Sequence, residues 1–145
     1  MRMTILAGLA FVLLAGCGSD DGATGGGDRQ AALSGPVTYE RGGGIAGRRD
    51  RLVIQPDGSA TLTVQDKSRP VKLSAKELET LATDLQSTDL GSLPKNSTSQ
   101  PPVADAFGYR VSYGGDTVVT DDPGMPKALR GLVARLGALV DRYGR

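Results

Sequence analysis

Phe107, Tyr109, Val111 and Tyr113 alternate strictly with Gly108, Arg110 and Ser112. Alternation of period two is the pattern of a half-buried strand, since successive side chains point to opposite faces. Gly114-Gly115-Asp116 then supplies a turn signal and Thr117 to Thr120 is predicted to return, closing an antiparallel hairpin. The same grammar occurs earlier. Val37-Thr38-Tyr39-Glu40-Arg41 alternates and runs into Gly42-Gly43-Gly44-Ile45-Ala46-Gly47, then a basic stretch, then Arg51-Leu52-Val53-Ile54-Gln55. Pro56-Asp57-Gly58 marks a turn, and Ser59 to Gln65 alternates again, so these last two strands pair as another hairpin.

Two segments read as helices. Ser74-Ala75-Lys76-Glu77 fits a capping box, in which Ser74 and Glu77 each satisfy the other's free backbone N–H. Leu78, Leu81, Ala82 and Leu85 follow on one helical face, and Leu90 and Leu93 extend the apolar pattern until Pro94. The second begins around Pro126, a residue suited to a first helical turn. Leu129, Val133, Leu136, Val140 and Tyr143 form its stripe, and Gly144 is the expected stop. Gly131 and Gly137 weaken it by about 1 kcal/mol each, which is tolerable where they let the helix sit close on a sheet. Lys95 to Ala104, polar and carrying Pro101-Pro102, is expected to be a surface loop. The order strand, strand, strand, helix, strand, strand, helix implies an α+β domain. Its antiparallel sheet should hold about four to five strands built from hairpins and packed against two helices.

The start of the chain has a different character. Arg2 is followed by an apolar run from Ile5 to Gly16, too short for the ~20 residues a stable membrane span needs. A charged start, a short apolar centre and a small-residue exit make a secretory signal peptide. The exit Leu14-Ala15-Gly16-Cys17 resembles a bacterial lipoprotein box, in which the cysteine thiol takes a diacylglycerol and the chain is cut just before it. Cys17 is the sole cysteine. At about 0.8 kcal/mol per buried methylene, two or three acyl chains anchor firmly where one does not. Gly18 to Ser34 has almost no apolar residues and should be a flexible tether with a reach of roughly 20–25 Å. The expected organisation is therefore a signal peptide over 1–16, a lipidated tether over 17–35 and a folded domain over 36–145. The expected location is the extracytoplasmic face of a cell membrane, held to lipid through Cys17.

Composition narrows the chemistry. The chain has 17 Lys and Arg, 16 Asp and Glu and no histidine. Loss of Arg2 with the signal leaves 16 of each sign, so lipid rather than charge must hold the protein at a membrane. Charges of both signs are spread along the sequence, which gives no basis for nucleic-acid binding. Without histidine the usual general base at neutral pH and most zinc and copper ligand sets are missing. One cysteine permits neither an internal disulfide nor a Cys-Cys metal clip. No catalytic constellation stands out, and no cofactor or metal is expected. The chain reads as a binding protein rather than an enzyme.

Several residues remain as candidates. A phosphate-binding reading of Gly42 to Gly47 requires a helix after the glycines. A strand follows instead, so the local reading is a wide hairpin loop that needs positive φ. Arg48, Arg49 and Arg51 suit either an acidic partner or a solvated loop. Asp121 and Asp122 make a poor calcium cage and are expected to serve as N-terminal charges for the last helix. Asp105 suits a carboxylate acid or base, or a turn cap, the latter favoured.

Taken together, Arg41-Gly42-Gly43-Gly44-Ile45-Ala46-Gly47 after an early strand and Asp105-Ala106-Phe107-Gly108-Tyr109-Arg110-Val111 opening a hairpin resemble emfourin. Emfourin-type proteins are small inhibitors of protealysin, a thermolysin-like zinc metalloprotease. The likeness spans about Pro36 to Tyr143. Members of that family are usually cytoplasmic and lack a lipoprotein box, and Gly43 and Ile45 stand where serine or glycine and phenylalanine are common. The resemblance implies an inhibitor or binder of a secreted metalloprotease that blocks its cleft. The loop of Gly42, Gly43, Gly44, Ile45, Ala46, Gly47 and Arg48 would enter the groove, with a neighbouring loop in support. The competing expectation is a non-enzymatic envelope lipoprotein that binds another protein or ligand.

Overall fold

The computed structural model describes residues 33–145. The expected signal peptide, Cys17 and all of the tether up to residue 32 lie outside the described residues. Packing begins earlier than expected. Leu33 is buried in the core, and the Ser34 N–H donates to the Tyr113 hydroxyl at 3.0 Å. The packed part therefore includes Leu33 and Ser34, which the sequence pattern assigns to the tether.

Strands β1 (Val37–Gly43), β2 (Arg48–Ile54), β3 (Ser59–Val64) and β4 (Lys67–Lys72) follow one another as antiparallel hairpins. Helix α1 (Ala75–Thr88), a short strand β5 (Asn96–Ser97), the hairpin β6 (Phe107–Tyr113) and β7 (Asp116–Asp121), and helix α2 (Arg130–Tyr143) complete the chain. The seven strands form one sheet in the order β4-β3-β2-β1-β6-β7-β5. Every pairing is antiparallel except β5 with β7. The class is α+β as expected, but the sheet is larger than four to five strands and mixed rather than purely antiparallel.

Two strands escaped the sequence pattern for physical reasons. β4 reads Lys-Ser-Arg-Pro-Val-Lys, without clean alternation and with a proline. It is an edge strand paired only with β3, where a missing N–H costs no ladder bond. β5 is two residues of the expected loop, caught by β7.

One face of the sheet carries the core. Tyr39 pairs with Leu52 and Val111, Leu52 with Leu62 and Val111 with Val118, a row of fully buried side chains across five strands. Both helices cover this face, through Leu81, Ala82 and Leu85 of α1 and Leu132, Val133, Leu136, Leu139 and Val140 of α2. The capping box forms: Ser74 Oγ accepts from the Glu77 N–H at 3.3 Å, and Glu77 Oε2 accepts from the Ser74 N–H at 2.8 Å. Pro126 leads through a tight turn into α2. A Cβ on Gly137 would stand 3.6 Å from the Tyr39 hydroxyl, an ordinary contact, and one on Gly131 would meet nothing within 4 Å among the described residues, so neither glycine is needed for a close approach to the sheet. Gly144 ends α2 at φ −81, without the left-handed turn that favours glycine.

Candidate functional site

The first hairpin is tighter than the sequence suggested. Gly42 and Gly43 belong to β1, paired with Arg49 and Arg48, and Arg48 opens β2. Only Gly44, Ile45, Ala46 and Gly47 form the connection, so the wide loop expected over Gly42 to Gly47 is a four-residue tip on a paired ladder. Its backbone uses the glycines as expected: Gly43, Gly44 and Gly47 have φ of 104, 69 and 56, a region that costs other residues roughly 1–2 kcal/mol. The Gly47 N–H donates to Gly44 O at 3.0 Å and closes the turn.

Two of these glycines are also demanded by a neighbour. A Cβ on Gly43 would lie 2.7 Å from Ala106 O, and one on Gly44 would lie 2.7 Å from the Phe107 ring. The Gly44 N–H donates to Ala106 O at 3.4 Å, and the Ala106 N–H donates to Val103 O at 3.2 Å. The tip is thus seated on the loop that precedes β6. The two large apolar side chains left exposed among the described residues are Ile45, at 92%, and Val103, at 51%. They project from these two touching segments.

Beneath the tip lies a charged buttress. Arg41 donates from Nε and Nη2 to Asp50 Oδ2, at 3.0 and 2.7 Å, and from Nη2 to Asp141 Oδ1 of α2 at 2.9 Å. Its guanidinium also lies 5.8 Å from the Phe107 ring centroid, within the range of a cation–π contact. Arg48 reaches Asp141 at 3.5 Å and Asp50 at 3.7 Å. Asp50 is buried, as is Tyr39, whose hydroxyl is pushed up to about 12 by burial. The hydrogen bond from Arg41 holds the Asp141 carboxyl below the usual carboxylate range. The buttress ties β1, β2 and α2 together directly under the tip, and α2 could not have been assigned to it from sequence spacing.

Asp121 and Asp122 do not face the start of α2. Asp121 accepts from the Ser99 hydroxyl and backbone N–H and from the Gly124 N–H, and the Ser99 hydroxyl is the main reason its carboxyl titrates low. Asp122 accepts from the Phe107 N–H at 2.9 Å and the Tyr109 hydroxyl at 2.7 Å. Burial and that bond to Asp122 raise the Tyr109 hydroxyl above its ordinary value. Both aspartates therefore fasten the loop beside the tip, a role hidden because their partners lie 22 and 15 residues away. Asp105 is exposed in the turn before β6. Of the basic trio, Arg48 joins the buttress, while Arg49 and Arg51 lie on the open face of the sheet, where they meet Asp66 and Glu40.

Among the described residues no three His, Cys, Asp or Glu side chains gather to hold a metal, and no helix is long and apolar enough to cross a membrane. No protein-family model matches the chain, and no curated protein is similar to it. The glycine-rich segment after β1 and the segment that opens β6 meet in space, Gly43 and Gly44 against Ala106 and Phe107. The assembled site offers an exposed aliphatic side chain, a second exposed apolar residue on the adjoining loop, and backbone polar groups on a turn that is fastened at both ends.

Proposed function

We propose that this chain is a membrane-anchored extracytoplasmic lipoprotein that binds a thermolysin-like zinc metalloprotease through its first hairpin and blocks the cleft. The observation that carries the reading is Ile45, 92% exposed at the tip of a turn seated on a neighbouring loop. An isolated exposed isoleucine is unremarkable on a surface. One presented on a clamped glycine turn is ready to enter a concave apolar site with little ordering cost. Because the β1–β2 ladder holds both ends of the turn, a cut peptide bond there cannot separate, which suits an inhibitor rather than a substrate.

Leu33 and Ser34 lead into the start of β1, and the hairpin tip is at its other end, roughly 20 Å away, so an anchor attached before Leu33 and a target at Ile45 would engage opposite ends of that strand.

Inhibition of peptide cleavage by several secreted thermolysin-like proteases tests the function. The mature protein should inhibit at least one, and Ile45→Asp with Ala46→Asp should weaken inhibition by at least about 100-fold, or about 2.7 kcal/mol. Both positions are exposed, so the circular dichroism spectrum and thermal midpoint should not change. Absence of inhibition by the folded wild type across such enzymes contradicts the protease reading. Retained membrane capture of another protein, lost in the same variant, would favour an envelope-binding role instead. Fatty-acid labelling that disappears in Cys17→Ala tests the anchor separately.

A further inference from the structure

The last turn of a helix frays easily, because its carbonyls have no partners further along. The last turn of α2 is instead tied to four other elements by three consecutive residues. Asp141 accepts from Arg41 of β1 at 2.9 Å and lies 3.5 Å from Arg48 of β2. Arg142 Nη1 donates to Glu77 Oε1 of α1 at 2.6 Å. The Tyr143 hydroxyl stands 2.9 Å from Glu77 Oε2 and 3.2 Å from the Lys72 carbonyl of β4, with one proton to share between them. Behind them the Gly144 N–H donates to Val140 O at 2.7 Å and closes the turn.

Glu77 is also the residue that completes the capping box of α1, where Oε2 accepts from the Ser74 N–H and hydroxyl at 2.8 and 2.7 Å. One mostly buried carboxylate thus holds the start of α1 and the end of α2. Asp141, for its part, belongs to the buttress beneath the Ile45 tip. Neighbouring residues of a helix stand about 100° apart around its axis, so one helical turn aims Asp141 at the buttress and Arg142 and Tyr143 at Glu77. Unwinding that turn gives up both sets of bonds together. A local opening of this kind is a two-state element, and two sites that bias the same element are coupled through it.

We propose that the last turn of α2 is a latch: closed on Glu77 it keeps Asp141 in the buttress and the Ile45 tip in order, and opened it loosens both. The latch takes its purpose from the inhibitor reading, on which it rests, but it is tested without a protease, so either can fail alone. Amide hydrogen exchange of the folded protein reads it, with the Gly144 N–H reporting the turn and the Gly47 N–H the tip. Arg142→Ala with Tyr143→Phe opens the latch and leaves the capping box intact. The pair should quicken exchange about tenfold at Gly144 and about threefold at Gly47, with Asp116 of the second hairpin changed by less than about twofold. With Asp141→Ala already present, the same pair should still quicken Gly144 but leave Gly47 within about 1.5-fold. Should the paired variant fail to fold, Tyr143→Phe alone, compared with and without Asp141→Ala, decides by the same signs. The proposal is overturned if Gly47 does not quicken, if Asp116 quickens as much as Gly47, or if Gly47 responds as strongly when Asp141 is already replaced.

Discussion

The hairpins β1–β2 and β6–β7 both turn on glycines with positive φ, yet they are built for different ends. In β6–β7, Gly114 and Gly115 have φ of 62 and 88, and a Cβ on either would meet no atom within 4 Å among the described residues. Those glycines answer only to the twist of a two-residue connection. In β1–β2, Gly43 and Gly44 have the same kind of φ and are also pressed against Ala106 and Phe107. An ion pair lies beneath, and an isoleucine stands on top. A turn that merely connects strands needs none of this. The contrast separates glycine used for chain reversal from glycine used to seat one loop on another, and it singles out the first hairpin as the one with a task beyond connection.

The largest expected effect comes from the buttress. Asp50→Ala leaves Arg41 without the partner buried beside it, and breaking such a pair typically costs about 3–5 kcal/mol, with Asp141 retaining part of the interaction. Urea denaturation should show this loss, and amide exchange should quicken at Gly47 more than at Asp116. Equal quickening in both hairpins would mean that the buttress serves the whole sheet rather than the first turn.

Next come the glycines themselves. Gly44→Ala combines positive φ with intrusion on the Phe107 ring and should destabilise by about 2–4 kcal/mol. Gly115→Ala has only the φ penalty and should lose about 1–2 kcal/mol. Equal losses would erase the distinction drawn between the two turns.

The smallest effect is with pH. Asp141, held down by the hydrogen bond from Arg41, and Asp121, held down chiefly by the Ser99 hydroxyl, both titrate lower in the folded protein than in the unfolded chain. Their stabilising contributions are complete above the unfolded value of about 4. They fade as pH falls through the lowered folded values. Denaturation at pH 3 should therefore need less urea than at pH 6, and Asp141→Asn should flatten that difference. A variant with the wild-type slope would show that the hairpin end is not the acid-sensitive part.

How far the sequence could be read follows the range of the interactions involved. Ser74 and Glu77 are three residues apart, and their reciprocal cap was legible, as were the strictly alternating β6 and the stripe of α2. Local rules also identified the glycines of the first hairpin and the need for positive φ, but they overestimated the loop, because Gly42 and Gly43 have no side chain to reveal that they sit in a ladder. β4 was hidden by its proline and its charges, which only an edge position makes acceptable. The union of Arg41 with Asp141 and of Asp121 with Ser99 bridges 100 and 22 residues, and no periodicity encodes a bond of that span. Leu33 shows the same limit near the expected domain boundary, where a single leucine with no periodic neighbours gave no sign of its burial.

The role assigned to the first hairpin is tested most directly by competition for the protease cleft. Binding of the mature protein to a thermolysin-like protease should be measured by calorimetry, with the cleft free and with it filled by a small zinc-directed inhibitor. Occupying the cleft should abolish binding of the wild type, and the Ile45→Asp, Ala46→Asp variant should bind weakly in both cases. Undiminished affinity of the wild type for the filled protease would contradict cleft occlusion by the Ile45 tip.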